Sequence, residues 1–267
     1  MDLKFLGSGS AFTLDDNFNS NMLLTAASGR RLLVDAGVDL RHALRAQELS
    51  YVDIDDIYIS HLHSDHIGGL EYVGLSGRFN PNYPRPRLFI VEQLAEPLWS
   101  SLRGGMGQVA DGPSTIADYF EVQPCRQQFT WEGMEFRIVP LPHVRSEAGV
   151  VMYSYGLRIS VGDEVVFITT DTRFELDALM PHYEAATVVF HDCETAAFKT
   201  PVHSHFEDLC TLSPELKAKL WLYHFQPGEL PDAEAQGFRG FVRPGQIFEF
   251  AEQRSSSGMN LAASAAG

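Results

Sequence analysis

Ile57-Tyr58-Ile59-Ser60-His61-Leu62-His63-Ser64-Asp65-His66 is the stretch from which the rest of the chain can be read. An apolar run ends there, and four side chains able to ligate metal, His61, His63, Asp65 and His66, follow inside six positions. Histidine and aspartate are costly to bury unpaired, so packing does not account for such a cluster. In extended backbone alternate positions point the same way, so His61 and His63 can grip one ion together. Asp65 and His66 then fall at a turn, where the chain can reach a second ion beside the first. Ile67-Gly68-Gly69-Leu70 reads as the start of a helix whose glycines let backbone approach the cluster. The stretch predicts a metal site.

Three more candidates close strand-like runs. His143 follows Phe136-Arg137-Ile138-Val139, Asp171 follows Phe167-Ile168-Thr169-Thr170, and His224 follows Leu220-Trp221-Leu222-Tyr223. Ligand-capable residues at the ends of strands can converge on one edge of a sheet. Singly each is an ordinary structural residue; beside the first cluster they complete a dinuclear donor set.

These residues carry a resemblance. With Leu3-Lys4-Phe5-Leu6-Gly7-Ser8-Gly9-Ser10 and Arg31-Leu32-Leu33-Val34-Asp35-Ala36-Gly37, the chain resembles the metallo-β-lactamase-fold hydrolases, and within them the ribonuclease Z and cyclic-phosphodiesterase branch. The branch rests on the N-terminal turn, Thr170-Asp171-Thr172-Arg173 and the segments around His191 and His203. The resemblance implies an α/β fold, the four-layer αββα sandwich. It assigns one metal to His61, His63 and His143, a second to Asp65, His66 and His224, and makes Asp171 the bridge. Nitrogen-rich donors with carboxylates suit two divalent transition ions, zinc first, with manganese or iron as alternatives. Histidine rather than glutamate at position 63 points to hydrolysis and away from the family's oxygen chemistry. For catalysis the resemblance singles out Asp65 in the metal cluster and a proton donor at His203, with His205 as the alternative. His191 is expected to orient ligands rather than to bind metal.

Composition narrows the substrate. The chain has 267 residues, 35 of them acidic and 20 basic, for a formal net charge of −15. Binding an RNA backbone depends on Lys and Arg neutralising phosphates, which this balance opposes. Arg78, Arg85 and Arg87 form only a modest basic loop. The tRNA-processing members of the branch insert a long basic arm between the ligands that His143 and Asp171 match; here residues 144–170 are mostly strand-like. Ile168 stands where those enzymes place a carboxylate behind the proton donor. The expectation is therefore a phosphodiesterase for a small or cyclic phosphodiester or a short oligonucleotide. The alternative is a lactone or thioester hydrolase, with tRNA 3′ processing and a non-catalytic binding role behind it.

An apolar share of 45% supports a full core, and no apolar run approaches the ~20 residues of a membrane span. The opening strand shows no signal-peptide pattern, and Cys125, Cys193 and Cys210 lack metal-type spacing, so a cytoplasmic protein with reduced thiols is expected. A homodimer is left open. Motifs needed in one site span most of the chain, which argues for one hydrolase domain over residues 1–254. Residues 255–267 read as a disordered small-residue tail. Strands are expected at 21–25, 31–34, 87–91, 134–139, 153–161, 164–170 and 187–191, and helices at 39–49 and 93–102. Gly104-Gly105-Met106-Gly107-Gln108 reads as loose chain without a phosphate-cradling pattern.

Overall fold

Short alternating apolar runs build two sheets, one from the first half of the chain with the last strand added at its edge and one from the rest of the second half. The computed structural model describes residues 1–14 and 17–251; the tail expected at 255–267 lies outside the described residues. The first half runs β1 (Asp2–Phe5), β2 (Met22–Thr25), β3 (Arg31–Val34), α1 (Leu40–Ala46), β4 (Asp56–Ile59), α2 (Ser64–Ile67) and α3 (Leu70–Arg78). It continues with β5 (Arg87–Val91), α4 (Glu92–Met106), the small ribbon β6 (Gln108–Val109) and β7 (Gly112–Pro113), and β8 (Glu121–Cys125). The second half runs β9 (Gln128–Trp131), β10 (Met134–Arg145), β11 (Val151–Val161), β12 (Glu164–Ile168), α5 (Leu176–Ala185) and β13 (Val188–Asp192). Then come α6 (Phe206–Leu209), α7 (Pro214–Lys217), β14 (Leu220–Tyr223), β15 (Gly240–Phe241) and β16 (Ile247–Glu249).

The first sheet has the order β16-β1-β2-β3-β4-β5-β8 and the second β15-β14-β13-β12-β11-β10-β9. Phe5, Leu24 and Tyr58 of one meet Phe136, Leu157 and Phe190 of the other in the core between them. Leu40, Leu44, Val73, Leu98 and Leu102 press helices α1, α3 and α4 onto the outer face of the first sheet. Leu179, Tyr183 and Leu209 cover the second sheet over Phe167 and Leu222. Each such side chain contributes roughly 1.5–3 kcal/mol when fully buried. The result is the four-layer αββα sandwich of the metallo-β-lactamase fold.

Strand direction explains why the site forms where it does. β3, β4 and β5 are parallel, as are β12, β13 and β14. β10 is antiparallel to β11 and β11 to β12, so β10 points the same way as β12. The residues that follow β3, β4, β12 and β14, together with the upper end of β10, therefore gather at one edge of the sandwich.

Several expectations change in detail. Helix α4 runs through Gly104, Gly105 and Met106, because Leu98, Leu102 and Met106 form a buried stripe at helical spacing and the Tyr119 hydroxyl donates to the Met106 carbonyl. Asp65 and His66 stand on a helical turn of their own, α2, with α3 starting only at Leu70. Strands β8, β9 and β16 and helix α5 were not foreseen; β8 carries Pro124 and is half exposed, as edge strands are. The Arg78, Arg85 and Arg87 loop is spent internally: on Asp118, on the Ala117 carbonyl and on Asp56.

Candidate metal centre

Four of the five histidines in the cluster turn Nδ1 to a protein partner and Nε2 towards the other donors. His61 Nδ1 lies 3.0 Å from Ser60 Oγ, and His66 Nδ1 2.8 Å from Asp35 Oδ2. His143 Nδ1 stands 2.9 Å from the Val202 carbonyl, and His224 Nδ1 3.3 Å from Asp192 Oδ1. Such partners fix the tautomer and leave Nε2 free to ligate. His63, the half-exposed member, faces inward with Nδ1, 3.1 Å from both His61 Nε2 and His143 Nε2. His143 is not at a strand end: β10 continues to Arg145, and a register shift between Pro142 and Val144 turns its side chain inward.

The donors fall into two groups that share Asp171: His61, His63, His143 and Asp171, and Asp65, His66, Asp171 and His224. Asp171 Oδ2 lies 3.7 Å from His61 Nε2, 3.5 Å from His143 Nε2 and 3.3 Å from His66 Nε2, and its Oδ1 lies 3.4 Å from His224 Nε2. Asp65 Oδ2 is 3.3 Å from His66 Nε2 and 3.4 Å from His224 Nε2. Most of these separations are long for hydrogen bonds. They match two ligands about 2.0–2.1 Å from one tetrahedral ion, which stand about 3.3 Å apart. His66 Nε2 and Asp171 Oδ1 are buried with no hydrogen-bond partner among the described residues. Unsatisfied lone pairs in a dry site call for a cation.

The electrostatics agree. Burial pushes His61, His63 and His143 down, keeping them neutral imidazoles. Burial opposes charge on His66 and His224 too, but the carboxylates around them, Asp171 foremost, outweigh it and pull both up. Asp65 and Asp171 are held ionised against their own burial, chiefly by His66 and His224. Without an ion the carboxylates of the second group keep protons on His66 and His224, positive charge that a bound cation would replace, while the first group offers neutral nitrogen. Clustered His and Asp on this fold suit divalent metal binding.

Backbone strain supports the arrangement. Asp35, Thr170 and His224 have φ of 61°, 53° and 65°, a left-handed conformation that non-glycine residues adopt rarely. Gly69 brings the start of α3 against the Gly37 carbonyl, where an added Cβ would stand 2.5 Å from its oxygen, so the close approach it permits is to the loop after β3.

Beside the donors, His203 Nδ1 lies 2.9 Å from Asp192 Oδ2, and its ring stands 5.1 Å from that of His143 and 4.8 Å from that of His224. Burial works against its charged form, but Asp192 overcomes this and raises its pKa. His205 turns away: Nε2 reaches the Ala196 carbonyl at 3.0 Å, and Nδ1 accepts from the Glu207 N–H as the cap of α6. His191 also points elsewhere, to the Tyr183 hydroxyl and the Asp192 carbonyl, so it orients no ligand. The work expected of His191 falls to Asp192, next in sequence and on the opposite face of β13. The carboxylate missing at Ile168 is also supplied there; Ile168 is core. Sequence reading missed Asp192, and it missed Asp35, which accepts from the Ser60 N–H at 2.8 Å and holds His66. Both close apolar runs, the same signal that singled out Asp171.

Comparison with known proteins agrees with this geometry. The family model described as Anti-Pycsar protein Apyc1 matches residues 1–248. The chain is similar to the Anti-Pycsar protein Apyc1 of Paenibacillus harenae, 32% identical over 250 residues covering 91% of this chain and 96% of that protein. Among solved structures it is similar to the metallo-β-lactamase fold protein YhfI from Bacillus subtilis, with a TM-score of 0.73 and 17% identity over 93% of this chain and 99% of the other. It is also similar to the short form of human tRNase Z, with a TM-score of 0.65 and 17% identity over 94% of this chain and 99% of the other. Fold, site and sequence converge: the chain belongs to the Anti-Pycsar protein Apyc1 family, on the metallo-β-lactamase fold.

Proposed function

We propose that this chain is a metal-dependent phosphodiesterase that opens a cyclic nucleotide, with two divalent ions, zinc by the donor chemistry, held between seven side chains. His61, His63 and His143 would hold one ion, Asp65, His66 and His224 the other, and Asp171 would bridge them. Bound there, two ions supply a nucleophile at neutral pH and neutralise charge on the phosphoryl oxygens. The single observation that carries the reading is the pairing of that donor set with His203, held by Asp192 directly beside it.

The chain's own residues complete the chemistry. Opening a cyclic phosphodiester breaks a P–O bond to a sugar alkoxide, a poor leaving group that must be protonated. His203 would give that proton from Nε2, a reading supported by Asp192, which engages its Nδ1 and favours its charged form. Asp192 also touches His224, so one carboxylate aligns the proton donor with a donor of the metal cluster. Asp35 and Ser60 keep His66 and His61 in the ligating tautomer.

A small substrate suits the surroundings. Residues 144–170 hold the end of β10 and the strands β11 and β12, with a short turn before each of the latter two, and no arm extends from them. The net charge of −15 opposes an extended polyanion. One chain carries every donor, so the reading needs no second copy. No helix among the described residues is long and apolar enough to cross a membrane, and three free cysteines support a reducing compartment such as the cytoplasm. Incubating the purified protein with a 3′,5′-cyclic nucleotide and resolving products by chromatography tests the reading. A linear nucleotide monophosphate is expected; turnover of lactones or thioesters with no phosphodiester cleavage would replace it.

A further inference from the structure

The geometry points to a second ligand site, on the flank of the sandwich away from the metal cluster, that takes an organic phosphomonoester. A cavity of about 480 Å³ opens there, lined among others by Arg126, Arg137, Arg158, His182, Gln128 and Tyr155. None of these belongs to the metal donor set; Arg137 precedes His143 by six positions on β10, roughly 20 Å at strand rise, while Tyr155 lines the end of the cavity nearer the cluster. The site does not depend on the reaction proposed above.

Strand register makes the cavity cationic. Gln128, Arg137, Arg158 and Phe167 stand directly opposite one another across β9, β10, β11 and β12, so they share one face. Two arginines paired directly across antiparallel strands repel each other, an arrangement that costs stability unless an anion lies between them. In a chain with 35 acidic residues against 20 basic, the lining holds three arginines and no carboxylate. Outside it, Glu135 pairs with Arg137 and Glu92 with Arg126, each at 2.7 Å, but these pairs are largely exposed and hold their arginines weakly. Arg158 makes no ion pair among the described residues. His182, on α5 and against the Phe167 ring, adds a buried Nδ1 with no hydrogen-bond partner.

The ligand class follows from charge, size and donor shape. Guanidinium forks give parallel N–H pairs to the oxygens of a phosphate, and two facing arginines match a dianion. The volume falls within the range of small-molecule sites and far exceeds a bare phosphate. Gln128, on the arginine face, offers polar surface to the organic part.

Titration calorimetry on the metal-loaded protein tests this with adenosine 5′-monophosphate, inorganic phosphate and adenosine. The monophosphate should bind, phosphate more weakly, and adenosine not at all. Arg158→Gln and, independently, the more exposed Arg137→Gln should each weaken the monophosphate by about tenfold, the equivalent of one charge-assisted hydrogen bond. Asp171→Ala, which removes the central donor of the metal cluster, should leave this binding in place. Unchanged affinity in both arginine variants, loss of binding in Asp171→Ala, or adenosine binding as tightly as its monophosphate would overturn the site. Phosphate binding as tightly as the monophosphate would overturn its organic specificity.

Discussion

Strand β4 has a buried charge cluster at each end, and the two differ in one respect that separates structure from function. At its start, Asp56 accepts Arg30 Nε and Nη2 at 2.6 and 2.9 Å, Arg87 Nε and Nη2 at the same distances, and Trp131 Nε1 at 2.7 Å. Trp131 belongs to the other sheet, so this knot ties the two halves together. Every charge in it has its partner. Just past the end of β4, His61 and His63 enter a cluster whose carboxylates face imidazoles, with His66 Nε2 and Asp171 Oδ1 unsatisfied. A buried cluster complete in itself holds a fold together; one with lone pairs to spare is built around something the chain does not supply.

The largest effect is expected at the proton donor. His203→Ala should lower turnover of an alkyl phosphodiester by roughly 10²–10⁴ while metal content stays, with a much smaller loss on an activated aryl ester. Equal losses on both esters, measured in parallel steady-state assays, would give His203 a binding role instead. Asp192→Asn should come next, with a loss of about 10–100-fold, since it loosens both His203 and His224; a turnover matching wild type would remove Asp192 from the site.

At the other end of the strand the effects should appear in stability and not in rate. Asp56→Asn leaves Arg30 and Arg87 facing each other without their counter-charge, and should cost about 3 kcal/mol in denaturant unfolding with unaltered turnover per folded, metal-loaded molecule. A fall in turnover without a fall in stability would contradict the division. The pH response sharpens it further. Burial opposes ionisation of Asp56, but its bonds to Arg87, Arg30 and Trp131 prevail and hold the carboxyl below its ordinary value. Its contribution is therefore complete above the unfolded pKa of ~3.9 and is lost as pH falls through the lower folded value. Thermal melts at descending pH should show wild type losing its advantage over Asp56→Asn only in that acid window; a constant advantage down to strong acid would oppose the assignment.

Much of this was legible in the residues, and the failures are instructive. The donor set could be read because ligands close apolar runs, and parallel strands bring those ends to one edge. Asp35 and Asp192 sit at equivalent places, yet a lone aspartate after an apolar run carries no mark of which neighbour it will hold. His191 and Asp192 are adjacent, so only the strand's alternation, fixed by register, decides which of them faces the site. His203 and His205 pose the same problem, resolved by the backbone cap that occupies His205. The basic residues near 78–87 looked like a surface patch because their partners, Asp56 and Asp118, are distant in sequence or lie on another element. Arg137 and Arg158 escaped notice for the same reason, since nothing but the pairing of β10 with β11 sets them side by side.

If the reading is right, the cluster at the end of β4 is one centre for two ions joined through Asp171. Elemental analysis of protein purified without chelator, run on wild type, Asp171→Ala and Asp56→Asn, tests it most directly. About two equivalents of transition metal are expected in wild type and in Asp56→Asn, and depletion of both equivalents in Asp171→Ala. Metal-free wild-type protein that still turns over, or an Asp171→Ala variant that keeps both ions, would contradict it.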